Sequence, residues 1–197
     1  MNFDRTKFDA AVKDRLEQNI YFHSLSLEAC MGGLFDYFKD NNLLTENDPA
    51  KEYWTTSGLI HDIDYSLDTK ELHPLRTREV LAKYNLEIDD VLQKIILAHD
   101  ARQGINKTNK AEWSLYCADS LTGLITAVAF VYPDRKLSSV KVSSVVKRFL
   151  KEPKFAAGTR RNEVAECSQE EGLNLPLEKF IEICLTSMQS IASQIGL

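Results

Sequence analysis

The sequence predicts an all-α protein folded as a single domain. Apolar residues recur at three- and four-residue spacing over most of the chain, the period of a helix face. The punctuation between these runs, Asn41-Asn42, Asp48-Pro49, Asn85, Gly104, Pro133, Pro153 and Pro176, is of the kind that starts and stops helices. A length of 197 residues is enough to bury one sizeable core.

The first helical pattern runs from about Phe8 to Phe38, with Ile20, Leu27, Met31, Leu34, Phe35 and Phe38 in register. Gly32 and Gly33 within it cost helix propensity but permit close approach of another element. Asp48 as N-cap and Pro49 at the first helical position open a helix reaching about Asp62. Residues 63–71 read as loop. Helices follow from near Pro74 to Tyr84 and from about Ile88 to His99, with a turn at Asn85 between them. Residues 100–109 read as loop, and Asn109 with Glu112 resembles a capping box ahead of a long apolar helix, Lys110 to Val131.

In residues 138–150 two readings compete. The β-branched content favours a strand, whereas Val142, Val145, Val146 and Phe149 fit a helical face. Residues 154–173 read as loop with short helices, and Pro176 opens a final helix striped by Phe180, Ile181, Cys184, Leu185, Met188 and Ile191. No repeat, linker or low-complexity tract interrupts the chain.

The charge balance, 24 basic against 29 acidic residues, is −5 and argues against a nucleic-acid polymer as partner. No apolar run approaches the roughly 18 residues of a membrane span, and the N-terminal stretch Met1-Asn2-Phe3-Asp4-Arg5 has no apolar signal core. Cys30, Cys117, Cys167 and Cys184 are widely spaced with no C-x-x-C pair, which fits reduced, buried thiols in a cytoplasmic protein. Trp54 and Trp113 read as core residues rather than stacking platforms.

The polar residues on the apolar faces carry the chemistry. His23 lies three residues after Ile20 and four before Leu27. His99 follows Ile95 and Ile96 on the core side of its helix, and Asp119 sits within the most apolar helix of the chain. A histidine and an aspartate adjoin in Gly58-Leu59-Ile60-His61-Asp62-Ile63-Asp64. A buried carboxylate needs a cation or a donor. One divalent transition ion satisfies buried imidazoles and carboxylates together, and this ligand chemistry suits Zn, Mn, Fe, Co or Ni.

The order His23, His61-Asp62, Asp119 resembles the H…HD…D signature of the HD-domain superfamily of metal-dependent phosphohydrolases. The segments His23-Ser24-Leu25, Gly58 to Asp64 and Ala118-Asp119-Ser120-Leu121-Thr122-Gly123-Leu124 are similar to that family's ligand segments, so the resemblance covers about residues 18–132. Lys141, Val142, Ser144, Lys147, Phe155 to Gly158 and Arg161-Asn162 resemble a tail found in bacterial and archaeal HD proteins.

The resemblance implies one HD domain over residues 1–197, with a motif-bearing core and a helical extension from about 133 to 197. It implies a helical bundle around a metal bound by His23, His61, Asp62 and Asp119, with His73 and His99 where relatives holding two ions carry further histidines. In those relatives the aspartate of the His-Asp pair bridges both ions. Asp100 stands where a second imidazole often occurs, and Tyr65 where some relatives keep an acidic proton-transfer group.

The implied reaction is hydrolysis of a small phosphate ester, with a nucleotide as the expected substrate, by metal-activated water. Asp62 and Asp64 are the catalytic candidates; a solvated loop carboxylate is the alternative for Asp64. A basic run, Lys147, Lys151, Lys154, Arg160 and Arg161, joins Arg76, Arg78 and Arg102 as sources of a phosphate contact, and Arg76 and Lys154 are the selected pair. Neither a membrane nor a nucleic-acid polymer is expected as partner, and a homodimer is compatible with the reading. A di-iron oxygenase of the HD fold and a non-catalytic nucleotide sensor are the alternatives; a complete ligand set argues against the sensor.

Overall fold

The periodicity between Phe8 and Phe38 folds as two helices rather than one. In the computed structural model, which describes residues 3–197, α1 (Arg5–Arg15) stops at Leu16, whose backbone is extended at φ −105°, ψ 151°. Helix α2 (Gln18–Asp40) starts after Glu17 at φ −60°, ψ 150°. Met1 and Asn2, the head of the N-terminal stretch, lie outside the described residues. No glycine or proline marks the break. Packing accounts for it: Phe8, Ala11, Val12 and Leu16 are all buried, and the bend lays α1 against α3 (Lys51–Ile60).

The remaining helices are α4 (Thr77–Ala82), α5 (Asp90–Ala98), α6 (Lys110–Phe130), α7 (Val142–Lys151), α8 (Arg161–Ala165) and α9 (Leu177–Ser190). Nine α-helices and no strand form among the described residues, so the fold is all-α. Helix α2 packs most extensively, against α3, α6 and α9. One continuous apolar core joins the helices. Trp54 sits in it with no exposure, its ring 5.6 Å from Phe35 and its indole N–H donated to the Pro49 carbonyl at 3.1 Å. All four cysteines are buried and unpaired.

Several boundaries depart from the sequence expectation for identifiable reasons. Asp48 is not the N-cap of α3; Ala50 holds that position. The Asp48 carboxylate instead accepts from the Thr45 N–H at 2.8 Å and from the Lys110 N–H at 2.6 Å, the first residue of α6. It therefore satisfies an orphan donor of a helix distant in sequence. Helix α4 is shorter than the expected Pro74–Tyr84, because residues from His73 to Arg76 form turns before it. Half of the capping box forms: Asn109 Oδ1 accepts from the Glu112 N–H at 3.0 Å, but the Glu112 carboxylate reaches one residue past the cap, accepting from the Thr108 N–H at 2.7 Å and from the Asn109 side-chain amide at 2.9 Å. In residues 142–151 the helix prevails, since that period buries Val145 and Phe149 together.

Among the described residues, α6 alone is long and apolar enough to cross a membrane by length and composition, contrary to the sequence expectation. Of its most apolar window, 67% is buried against other helices.

Gly58 sets the distance between α2 and α3. A Cβ placed on it would lie 2.7 Å from the Glu28 nitrogen and 2.8 Å from the Glu28 Cα, both backbone atoms that cannot step aside. Gly58→Ala is expected to lower stability by about 1–3 kcal/mol through overpacking, read as a shift in urea midpoint at constant slope. An unchanged midpoint would show that the two helices separate freely.

Candidate metal centre

Four elements and two turns deliver the polar residues to one place. His23 projects from the second turn of α2, and His61 and Asp62 follow the last residue of α3. His73 follows a 3-10 turn at Lys70–Leu72, His99 caps the C-terminus of α5, and Asp119 stands midway along α6. His61, His73 and His99 are buried, as is Asp119.

The ligand atoms form two groups that share one residue. His23, His61 and Asp62 place one donor atom each within 4.8 Å of one another, and so do Asp62, His73 and His99. In the first group the Nε2 atoms of His23 and His61 are 3.1 Å apart, and His61 Nε2 is 3.3 Å from Asp62 Oδ2. Asp119 Oδ1 closes that group, 3.1 Å from His23 Nε2 and 3.8 Å from His61 Nε2. In the second, His73 Nε2 is 3.1 Å from His99 Nε2 and 3.3 Å from Asp62 Oδ1. Asp62 thus offers a different oxygen to each side.

The outer hydrogen bonds fix which ring nitrogen faces inward. His61 Nδ1 donates to the Gly58 carbonyl at 2.9 Å, and His99 Nδ1 donates to the Ile96 carbonyl at 2.5 Å. His73 Nδ1 donates to Asp64 Oδ1 at 2.6 Å. The Thr122 hydroxyl gives its proton to the Asp119 carbonyl at 2.7 Å, so at 2.9 Å it accepts from His23 Nδ1. In every neutral ring the proton is then on Nδ1 and the Nε2 lone pair points at the other ligands. That is the tautomer of a metal-binding histidine with its outer partner in place. Lone pairs and carboxylates turned on one another at 3.1–3.8 Å need a cation between them, so the donor set fits one or two divalent transition ions.

The titration shifts follow from the same crowding. Burial opposes the charge on Asp62 and on Asp119, but His61 and His23 outweigh it, and both carboxyls fall below the usual carboxylate range. Burial also opposes a charged His23, yet the hydrogen bond and charge of Asp119, with Asp62, raise its pKa. His99, desolvated and facing His61, is pushed down to about 4.

Other expected residues are placed differently. Asp64 is fully buried rather than solvated: one oxygen holds His73 and the other accepts from the Arg76 N–H at 2.9 Å. Asp100 turns away from the ligand groups and takes donors from Arg102 and Gln103; burial opposes its charge, but those bonds hold its pKa at about 2. The Arg76 side chain pairs with Glu79 at the surface, and Lys154 is exposed.

The cation beside the ligands is Arg160, whose guanidinium pairs with Asp119 Oδ2 and, at 2.5 Å, with Glu163. It was visible in sequence only as one member of the basic run. Arg161 positions it, donating to the carbonyls of Phe149, Glu152, Phe155 and Ala156 and so tying down the loop that leads to Arg160.

Compared with family models, curated proteins and solved structures, the chain shows no significant match.

The raised pKa of His23 has a measurable result. Without metal His23 keeps its proton to higher pH than an ordinary imidazole, whereas His99 loses its own at lower pH. Metal binding is therefore expected to displace a proton from His23, a release that fades as pH rises past the His23 pKa. Calorimetric titration in buffers of differing ionisation enthalpy measures it. Enthalpies that do not vary with buffer near pH 6.5, the ordinary imidazole value, would rule out the raised pKa of His23.

Proposed function

We propose that this chain is a metal-dependent phosphohydrolase of the HD-domain superfamily acting on a nucleotide or related small phosphate ester. The observation that carries the reading is the pair of ligand groups hinged on Asp62, each with its imidazole lone pairs turned inward. His23, His61, Asp62 and Asp119 would hold one ion, and Asp62, His73 and His99 a second. When bound, such ions supply Lewis acidity, lowering the pKa of water and neutralising phosphoryl charge.

The protein's own groups have separate tasks in this reading. Asp64 is a positioning residue, because both its oxygens are already engaged in orienting His73 and the following turn. Arg160 takes the phosphate-orienting role expected of Arg76 and Lys154. Its side chain is 45% exposed while pairing with Asp119, so it can exchange a carboxylate oxygen for a phosphoryl oxygen.

A second reading, a di-iron oxygenase, draws on one specific feature. The group Asp62, His73 and His99 could hold an ion without Asp100, which supports the dinuclear arrangement that reading requires.

Metal content by mass spectrometry on chain purified without chelator, followed by assay against nucleoside monophosphates, tests the proposal. Asp62→Ala should abolish both metal retention and turnover while leaving the helical circular dichroism intact; unchanged turnover would sink the reading. Asp64→Asn is expected to cost about 10–100-fold in metal affinity or activity. Iron with oxygen consumption and no phosphate release would favour the oxygenase.

A further inference from the structure

Two cavities open beside the ligand groups, and they meet at His23 and Gly123. The smaller, about 280 Å³, is lined by Asp119, Ser120 and the loop Ala156–Thr159 that leads to Arg160. The larger, about 320 Å³, lies between α2 and α6, with Asn19, Phe22, Ser26, Thr126 and Phe130 on its walls and Ile195 at its end. Its volume is at the lower end of the roughly 300–1,000 Å³ of small-molecule sites.

The helical register makes the two cavities one groove. Asp119, Gly123, Thr126 and Phe130 are spaced by four, three and four residues on one face of α6. Asn19, Phe22, His23 and Ser26 share the facing stripe of α2. The groove passes from His23 and Asp119, on the wall of the smaller cavity, to Phe22 and Phe130, on the wall of the larger.

Gly123 is the floor where the cavities join. It sits in the interior of a helix, where glycine is destabilising by about 0.5–1 kcal/mol relative to Ala. Packing does not require it, because an added Cβ would meet nothing within 4 Å. The bare backbone keeps the passage open.

We propose that this groove binds the non-phosphate half of the substrate, and that this half is an uncharged, flat heteroaromatic group of the nucleobase kind. The inference rests on the phosphohydrolase reading for its orientation, with phosphate at the Arg160 end. Apart from His23, where the cavities meet, the larger cavity has no Asp, Glu, Lys, Arg or His side chain in its lining, so its outer part offers no charged side chain to pair with a second charged group. Two phenylalanines offer faces for stacking. The Asn19 amide and Thr126 hydroxyl offer donors and acceptors suited to a ring edge, which an alkyl chain would leave without partners.

The test is calorimetric binding to the manganese-loaded full chain. The probes are adenosine and uridine, with inorganic phosphate as the reference and hexanol as the aliphatic competitor. At least one nucleoside is expected to bind and to resist hexanol. In Gly123→Leu its affinity should fall about ten-fold or more relative to that of inorganic phosphate. Phe130→Ala, at an exposed residue, should weaken the nucleoside in the same direction. Absence of nucleoside binding, equal nucleoside affinity in Gly123→Leu, or displacement by hexanol would each overturn the proposal. Nucleosides that bind and respond to Gly123→Leu in a protein that cleaves no phosphate ester would preserve the subsite and refute the phosphohydrolase.

Discussion

The constraint on which the rest of the structure depends is the repulsion among six inward-facing ligand side chains. Four imidazole nitrogens and two carboxylates are held within a few ångströms, and each brings electron density to the same space. Such an arrangement persists only because the scaffold opposes its relaxation. Buried carbonyls at Gly58 and Ile96, the Thr122 hydroxyl and the Asp64 carboxylate each grip the outer edge of one ring. The core beneath them is apolar and closely packed. The scaffold holds these groups in a geometry that could bind a metal ion.

The sequence made the ligands legible because burial and polarity conflict there. A histidine or an aspartate on an apolar helix face breaks the pattern of its own element, and His23, His99 and Asp119 were found on that ground. The ends of helices were less legible. The break at Leu16 has no glycine or proline to announce it and follows from how α1 must bend to reach α3. Asp48 carries every local sign of an N-cap for α3, yet its carboxylate is claimed by the start of α6, a partner 62 residues away. Arg160 was hidden for a similar reason. In a run of five cations nothing local distinguishes the one that turns inward; the distinction is made by Arg161, which gathers the carbonyl of Phe149 in α7 and three from the loop after it around its guanidinium.

Surface choices and buried choices therefore differ in what fixes them. Arg76 and Lys154 were attractive by proximity to a ligand in sequence and by charge, but long exposed side chains settle on whatever acid lies nearest, as Arg76 does with Glu79. Asp64 shows the opposite case. Its neighbours in sequence suggest a loop, but its complete burial commits both oxygens to specific donors and turns a nearby carboxylate into part of the support for His73.

The Asp48–Lys110 hydrogen bond joins the beginnings of two helices that carry His61, just past the end of α3, and Asp119, midway along α6, to the same ligand group. From Lys51 to His61 is ten residues, and from Lys110 to Asp119 is nine, so the two arms span about 15 Å and about 14 Å. They behave as the legs of a pair of dividers, pinned at one end and meeting at the other. Arm length is then a coordinate of the site: removing a single residue from either leg would rotate its ligand by about 100° around the helix axis. The spacing of these two helices thus sets how closely His61 and Asp119 approach one another, 3.8 Å between Nε2 and Oδ1.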